Sequence, residues 1–234
     1  ALAYLPPLTV ATDNPLTPPK IELGAQLFFD ARVGERSCAS CHQREHGWTA
    51  GKAPSDGELR VPSLHNVGYL GQLGSVGRHR TLESAIAAEL EGHAGVSADD
   101  AAKRVAAIAG YDAAFRRVFG RAPDGRAVVQ ALASFCRTIR SGNAPFDRYE
   151  QGDKSAISPA AAEGWRLFTR IGCGACHTPP TFTDDAFHTA GIGGIEAKGR
   201  AAVTGNADDL GRFRTPPLRS VNRHAPFFHD GSAA

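Results

Sequence analysis

The sequence contains no methionine, and it has few aromatic residues, little net charge and no long apolar run. Phenylalanine, tryptophan and tyrosine together make up 8% of its 234 residues, and the formal net charge at pH 7 is +2. So small a charge gives no support for binding to nucleic acid or to an anionic membrane. No apolar run approaches the roughly 18 residues of a membrane-spanning helix. We therefore expect no nucleic acid partner and no membrane span.

Cysteine is scarce as well, and four of the five cysteines belong to two copies of one motif. The copies are Cys38-Ala39-Ser40-Cys41-His42 and Cys173-Gly174-Ala175-Cys176-His177. Two thiols three positions apart can each add across a vinyl group of haem, and the histidine that follows then binds the iron. Random placement would give on the order of 0.004 such motifs, so two copies predict two covalently bound haem c groups. The predicted attachment residues are Cys38, Cys41, Cys173 and Cys176, and the predicted proximal iron ligands are His42 and His177.

Other uses of the paired cysteines fit the pattern less well. Disulfides would leave both of the following histidines as coincidences. A redox dithiol needs thioredoxin-like strands and helices around the motif, and neither copy has them. A zinc site would need four ligands converging from both motifs and would leave the repeated histidine unexplained. The fifth cysteine, Cys136, lies in an apolar run with helical spacing and is expected to be a small buried side chain.

Covalent attachment of haem to such motifs takes place outside the cytoplasm, so we predict a periplasmic protein. An extracellular location would meet the same requirement. No signal peptide opens the sequence, and we expect Ala1 to lie near a processed N-terminus.

Apolar periodicity and capping residues predict a mainly α fold with little or no strand. The predicted helices cover residues 20–30, 81–91, 98–109, 111–119, 125–140 and 159–170. Ser97 and Asp100 form a capping box, and Ser158 before Pro159 is an N-cap followed by a first-turn proline. Residues 1–19 are expected to form an extended arm on the surface, and residues 47–77 a loop around the edge of a haem.

The chain also contains an internal repeat. Residues 24–28 (GAQLF) before the first motif resemble residues 164–168 (GWRLF) before the second. Residues 60–67 (RVPSLHNV) resemble residues 214–221 (RTPPLRSV), and each run follows its motif. The repeat predicts two cytochrome c-like haem domains. Their predicted boundaries are 20–142 and 159–234, with an N-terminal arm at 1–19 and a linker at 143–158.

Several runs resemble the bacterial di-haem cytochrome c peroxidase and MauG superfamily in their order and spacing. Besides the two motifs, they are 23–32 (LGAQLFFDAR), 146–149 (FDRY), 152–153 (GD), 182–188 (FTDDAFH), 213–221 (FRTPPLRSV) and 225–231 (APFFHDG). The resemblance extends from about residue 20 to the last residue. It implies that the N-terminal haem meets hydrogen peroxide and that the C-terminal haem passes or stores oxidising equivalents.

The sequence departs from the family pattern around both haems. Peroxidases of the family often carry a removable histidine ligand in the stretch that corresponds to residues 50–60, which contains no histidine here. The first iron is therefore expected to be open. Residues 75–78 (SVGR) replace the run that usually carries a tryptophan between the haems. Trp48 and Trp165 each lie beside a haem motif and are expected to be packing residues.

The resemblance also implies a distal acid and a sixth ligand for the second haem. The candidates for the distal catalytic residue are Glu89, Glu91 and His93, which end the helix predicted at 81–91. The sixth ligand usually follows the run at 229–232 (HDGS), so the domain at 159–234 is expected to be incomplete at its C-terminus, or else a histidine or tyrosine serves. Without methionine, no thioether from these residues can be that ligand.

A calcium ion between the two domains is a further implication of the resemblance. Backbone carbonyls near His224 to Pro226 would hold part of it. Arg60 stands where the family's asparagine ligand is expected, which is a cation in place of a hard oxygen ligand. Calcium therefore stays an open expectation.

These features favour a di-haem c-type peroxidase, in which electrons pass from the C-terminal haem to an open N-terminal haem and reduce hydrogen peroxide. Its electron donor would be a small cytochrome c or a cupredoxin. The alternative is a MauG-like enzyme that uses peroxide to oxidise side chains of a partner protein. A simple electron-transfer cytochrome would need two six-coordinate irons, and the first haem lacks its obvious sixth ligand.

Overall fold

The computed structural model describes residues 4–55, 58–192 and 197–233. Within them the chain forms eight α-helices: α1 Pro18–Phe29, α2 Leu82–Gly92, α3 Ala98–Ala106, α4 Tyr111–Phe119, α5 Gly125–Cys136, α6 Pro145–Glu150, α7 Pro159–Arg170 and α8 Ala201–Thr204. A two-stranded antiparallel sheet pairs β1 Phe187–His188 with β2 Phe213–Arg214. The mainly α fold class is confirmed. Residues 1–3 of the expected arm, two residues of the stretch 50–60 and Ala234 lie outside the described residues.

Side-chain caps begin three of the helices, and those at Ser97 and Ser158 were predicted. The Oγ1 of Thr81, which was expected to be the first helical residue, instead accepts a hydrogen bond from the Ser84 N–H at 3.1 Å as the N-cap of α2. Ser97 accepts from the Asp100 N–H at the start of α3, also at 3.1 Å. Ser158 and Pro159 open α7 in the same way. A side-chain oxygen at each N-cap thus satisfies a backbone donor that has no partner inside the helix.

Helix α5 ends four residues before its predicted end at residue 140. The backbone leaves the helix because it bonds to a residue far away in the sequence. The Asn66 N–H donates to the carbonyl of Ile139 at 2.8 Å, and the Ser141 N–H donates to the Asn66 side chain at 3.0 Å. These bonds to another part of the chain override the helical periodicity of residues 137–140.

The predicted linker at 143–158 contains a helix that was not expected from the sequence. Helix α6 begins with Pro145 at its first turn, and the Asp147 side chain accepts a hydrogen bond from the Ala144 N–H at 2.9 Å. Asp147 is only 1% exposed because it also pairs with Arg219. The segment is thus fixed to the C-terminal part of the chain.

The hydrophobic core lies between α1 and α5, with α2, α3 and α4 around them. Leu27, Phe28 and Leu132 are almost completely buried there. Gly24 allows the close approach of the two helices, since a Cβ at this position would overlap the backbone oxygen of Ala131. The fully buried residues of this core come from residues 23–136.

The N-terminal arm is anchored more deeply than predicted. Asn14 is completely buried, and its Nδ2 donates to Glu83 Oε1 at 2.7 Å and to the carbonyl of Gln130 at 3.1 Å. Lys20 Nζ donates to Asn14 Oδ1 at 3.0 Å. The surface position predicted for the arm is therefore wrong at Asn14, because its amide satisfies buried polar groups of α2 and α5. Among the described residues, no helix is both long and apolar enough to cross a membrane.

Candidate haem sites

The first motif folds into a tight turn that places its cysteines and histidine together. A short 3-10 helix, Cys38–Ser40, leads into Cys41 and His42. The His42 N–H donates to the carbonyl of Cys38 at 3.0 Å, so the turn closes on itself. All five cysteines are free thiols. The thiols of Cys38 and Cys41 are therefore available for thioether bonds.

The orientation of the first motif histidine is set by one backbone carbonyl. The Nδ1 of His42 lies 3.0 Å from the carbonyl oxygen of Trp48. Gly47 and Trp48 both have left-handed backbone conformations, with φ of 66° and 63°, and this turn aims the carbonyl at the imidazole. A proton on Nδ1 leaves the lone pair on Nε2, which makes no hydrogen bond to the described residues. This is the arrangement that an iron-binding histidine needs.

Aromatic side chains surround this imidazole. The ring centroid of Phe28 lies 6.5 Å from that of His42 and 5.8 Å from that of Trp48, and Phe135 packs against both Phe28 and Trp48. Burial lowers the pKa of His42, although its bond to the Trp48 carbonyl acts in the opposite direction. Burial also raises the pKa of the Cys38 thiol to about 11. The site thus holds a neutral imidazole and a protonated thiol in an apolar environment.

The second motif repeats the geometry of the first. Its 3-10 helix is Cys173–Ala175, and the His177 N–H donates to the carbonyl of Cys173 at 3.0 Å. The Nδ1 of His177 lies 3.0 Å from the carbonyl oxygen of Phe182, whose φ is 59°. Its Nε2 makes no hydrogen bond within the described part of the chain. Both motifs thus present the same nitrogen for iron.

A buried threonine follows the orienting carbonyl at each motif. Thr49 Oγ1 donates to the carbonyl of Val61 at 2.6 Å, and Thr183 Oγ1 donates to the carbonyl of Thr215 at 2.6 Å. Each bond connects the turn after the motif to the repeated run that follows it, at 60–67 for the first motif and at 214–221 for the second. The two histidine-binding turns are thus held by equivalent hydrogen bonds.

Those two runs also meet at one serine. Asn66 and Ser220 have φ of 59° and 60° and each precedes a 3-10 helix. The Asn66 amide donates to the carbonyl of Ser141 at 3.0 Å, and the hydroxyls of Ser141 and Ser220 are 2.8 Å apart. Ser141 therefore fixes the run after the first motif relative to the run after the second.

An aromatic cavity lies beside the second motif. It has a volume of about 380 Å³, and its walls include Phe146, Trp165, Phe168 and Phe182. The Phe146 and Trp165 ring centroids are 4.8 Å apart, and Phe168 lies 6.4 Å from His177. Trp165 here and Trp48 at the first motif both contact other aromatic rings, which agrees with the packing role predicted for them.

The residues present at both motifs fit haem c. Each motif offers two free thiols, an imidazole with Nε2 available and a neighbouring aromatic surface. A covalently attached porphyrin needs these three features. The first site is enclosed by the core, whereas α7 beside the second has no buried residue.

Two of the three candidate distal residues lie together. Glu89 Oε2 is 3.5 Å from His93 Nε2, at the C-terminal end of α2. Burial is the main cause of the raised pKa of Cys38, and the charge of Glu89 adds to it. Burial is also the main cause of the lowered pKa of His42, and the charge of His93 adds to it. Glu91 is exposed and takes part in none of these interactions.

Several buried polar residues between the two motif-bearing halves were not predicted from the sequence. Arg219 donates to Asp147 at 2.7 and 3.0 Å, and both side chains are almost completely buried. Arg214 lies 3.5 Å from Asp185 and donates to the carbonyl of Gly74. The arginine that opens each repeated run, at 60 and 214, was the available signal, but the sequence does not show which residues it contacts.

Comparisons with known proteins identify one family. The family described as di-haem cytochrome c peroxidase matches residues 18–155. The methylamine utilization protein MauG of Methylorubrum extorquens is 39% identical over 234 residues, which cover 93% of this chain and 66% of that protein. The cytochrome-c peroxidase IdrP1 of Denitromonas iodatirespirans is 33% identical, and the alignment covers 100% of this chain and 74% of that protein. The chain thus spans about two thirds to three quarters of the length of these relatives.

Solved structures support the same fold. A MauG-like protein associated with microbial copper homeostasis superposes with a TM-score of 0.88 at 28% identity, covering 99% of this chain and 77% of the other. The di-haem peroxidase BthA of Burkholderia thailandensis superposes with a TM-score of 0.76 at 21% identity, covering 97% and 71%. The second likeness shows a common fold alone.

Proposed function

This chain belongs to the di-haem cytochrome c peroxidase and MauG family, and on that premise we propose that it is a di-haem c-type peroxidase that reduces hydrogen peroxide. The reaction consumes two electrons and two protons and converts one peroxide into two waters. When bound, the haems supply the redox chemistry and the electron path from the C-terminal to the N-terminal site. A small cytochrome c or a cupredoxin would supply the electrons.

The observation that carries this proposal is the matched geometry of the two motifs. In each, a backbone carbonyl 3.0 Å from Nδ1 orients the histidine so that Nε2 is available to iron. The threonine bonds of Thr49 and Thr183 support the further proposal that the halves are two cytochrome c-like domains related by an internal repeat. Covalent attachment at these motifs also supports the proposed periplasmic location.

We propose that Glu89 and His93 handle the protons at the first site. The carboxylate can accept a proton from incoming peroxide and return it to the departing oxygen, which is general acid–base catalysis. His93 lies 3.5 Å away and can hold Glu89 in position and share its charge. Both side chains are open to solvent, so protons can be replaced from water.

The test compares two glutamate variants on the same helix. Glu89→Gln removes the carboxylate and should lower the rate of peroxide-dependent oxidation of a reduced small cytochrome c by about 100-fold or more. Glu91→Gln is the matched control, with an unchanged rate, and haem content and unfolding temperature are measured for both. If Glu91→Gln causes the loss instead, the assignment to Glu89 is wrong.

The second candidate function is oxidation of side chains in a partner protein by a MauG-like enzyme. The relative named MauG, at 39% identity, favours it. The lack of methionine and the replacement of the inter-haem tryptophan run by residues 75–78 also separate this chain from the common peroxidase pattern. Rapid steady-state oxidation of a reduced cytochrome c by peroxide would support the peroxidase. Slow oxidation, together with modification of a co-purified protein, would support the alternative.

The coordination of the first iron separates both enzymes from a simple electron carrier. No histidine lies in residues 50–60, and His65 is engaged with His224 at 3.3 Å. We therefore expect electron paramagnetic resonance of the isolated protein to show a high-spin ferric population, and cyanide to bind at one iron. A spectrum with both haems fully low-spin would support the carrier instead.

A further inference from the structure

Arg60 joins the first motif-bearing half to the C-terminal segment by two hydrogen bonds. Its guanidinium donates to the carbonyl oxygen of His224. Its backbone N–H donates to the carbonyl of His229 at 2.7 Å. The side chain and the backbone of Arg60 thus bind the carbonyl oxygens of two residues in the segment 224–229. This is the segment whose carbonyls the family resemblance assigns to calcium.

The guanidinium of Arg60 is unusual in having no acidic neighbour among the described residues. Arg214, which opens the second repeated run, lies 3.5 Å from the carboxylate of Asp185. Arg60 forms no ion pair with any described residue, and its Nε is enclosed without a hydrogen-bond partner there. Burial lowers its pKa, as expected for a cation with little compensation. The backbone carbonyl of His224 is therefore the principal hydrogen-bond partner of the Arg60 guanidinium among the described residues.

The surroundings of this carbonyl are nitrogen-rich. The His224 ring stacks on His65, with Nδ1 of His65 3.3 Å from Nε2 of His224. Burial, His65 and Arg60 together lower the pKa of His224 to about 4, and burial and Arg223 lower that of His65. The lowered pKa values of His224 and His65 both indicate that an additional positive charge is unfavourable at this place.

The donor set does not fit calcium. Calcium takes six to eight oxygen ligands and usually several carboxylates. Here the carbonyl of His224 already accepts a hydrogen bond from a cation. The charge of Arg223 also acts on the ring of His65, which stacks on that of His224. Across the described ranges, the one group of three clustered metal-ligating side chains is elsewhere, at Cys176, Asp184 and His188. Cys176 is itself a predicted haem-attachment residue.

We propose that the guanidinium of Arg60 takes the place of a divalent cation at the junction of the two halves, so that this chain binds no calcium there. The fixed cation neutralises the carbonyl dipole that a bound ion would otherwise neutralise. Its bond to the His224 carbonyl fixes the backbone of the residue whose ring packs against Gly47, where a Cβ would lie 2.6 Å from His224 Cδ2. Gly47 precedes Trp48, whose carbonyl orients His42, so Arg60 stabilises the turn of the first haem site. The inference does not depend on the reaction proposed above.

The first test uses the wild-type holoprotein. Its calcium content is measured by elemental mass spectrometry after dialysis against calcium and after treatment with the chelator EGTA. Its unfolding temperature is measured in EGTA and in excess calcium chloride. We expect a calcium occupancy below about 0.1 per chain. We also expect the same unfolding temperature in EGTA and in excess calcium chloride, because an ion that does not bind the folded protein cannot stabilise it. One calcium per chain, whose removal lowers the unfolding temperature, would overturn the proposal.

The second test asks whether the cation is needed. Arg60→Asn should lower the unfolding temperature by roughly 4 °C or more and shift the absorption of the first haem. Arg60→Lys keeps the charge and should retain most of the wild-type value. Arg117→Asn, on the exposed face of α4, is the matched control. If Arg60→Asn unfolds at the same temperature as the control, Arg60 is not the junction cation. If Arg60→Asn does not fold, the lysine variant and the calcium content of the wild type still decide.

Discussion

At the scale of single residues, one backbone carbonyl at each motif determines how the motif histidine is oriented. Trp48 and Phe182 adopt left-handed backbone conformations in which their carbonyl oxygens face Nδ1 of His42 and His177. Mutation of a side chain cannot remove a backbone carbonyl. The threonine that follows each of these two carbonyls can, however, be substituted. Thr49 is 1% exposed, and its hydroxyl is thus a buried support for the turn.

The variant Thr49→Val tests this support. The substitution preserves the shape of the side chain and leaves the carbonyl of Val61 without its donor, so the free energy of unfolding should fall by about 1–3 kcal/mol. Thr183→Val should have a similar effect at the second motif. Thr138→Val, which removes an exposed hydroxyl bonded to Phe135 O, is the control and should cost no more than about 0.5 kcal/mol. Denaturant unfolding of the holoproteins measures the three values. A loss at Thr49 no larger than at Thr138 would contradict the assigned role.

A second residue-scale prediction concerns acid. Arg32 donates to both oxygens of Asp30 and lowers the pKa of this carboxyl from its ordinary value of 3.8 to about 2. The unfolded chain therefore takes up this proton first as pH falls. The stabilisation from Asp30 is complete above the unfolded pKa and is lost between pH 3.8 and about 2.

Asp30→Asn should accordingly destabilise the holoprotein at neutral pH, and the difference from wild type should shrink below about pH 4. Denaturant unfolding at about pH 7, 5 and 3 measures the difference. Asp112→Asn breaks an exposed pair with Arg116 and is the control, with an expected cost of about 0–1 kcal/mol. A difference between wild type and Asp30→Asn that grows as the pH falls would contradict the sign of the shift.

At the scale of helices, the crossing of α1 and α5 depends on Gly24. The residue brings the two backbones close enough that a methyl group would overlap Ala131 and come within 3.0 Å of the Cβ of Phe135. Gly24→Ala should separate the helices and lower the free energy of unfolding by roughly 1–3 kcal/mol or more. Gly92→Ala at the end of α2, where no atom lies within 4 Å of the new methyl, is the control and should be neutral or stabilising by about 0.5–1 kcal/mol. Thermal and denaturant unfolding of both holoproteins provides the comparison, and equal stability of the two would show that the crossing is not tight.

The same scale separates what the sequence could predict from what it could not. Helix α4 and the start of α7 follow from periodicity and capping, which are properties of neighbouring residues. The end of α5 and the whole of α6 depend on partners more than 70 residues away: Asn66 binds Ser141 across 75 positions, and Asp147 binds Arg219 across 72. Local signals do not contain such contacts, so the end of α5 and the presence of α6 could not be predicted.

At the scale of the whole molecule, the two motifs carry the strongest prediction from the sequence, because the chemistry of haem attachment is confined to five adjacent residues. The orienting carbonyls were not predictable, since they depend on backbone conformations of Trp48 and Phe182 that few non-glycine residues adopt. The junction of the halves was equally hidden. Its arginines at 60 and 214 repeat in the sequence, but each binds a carbonyl on the other half that only the fold brings close.

The most direct test of the account is the intact mass of the purified holoprotein after extraction with acid and acetone. Thioether bonds resist this treatment, whereas non-covalently bound haem is removed. We predict a mass above the 24.7 kDa polypeptide by two haem groups, with one haem on the peptide that contains Cys38 and Cys41 and one on the peptide that contains Cys173 and Cys176. A mass corresponding to one haem, or to none after extraction, would contradict the central claim that both motifs hold covalent haem.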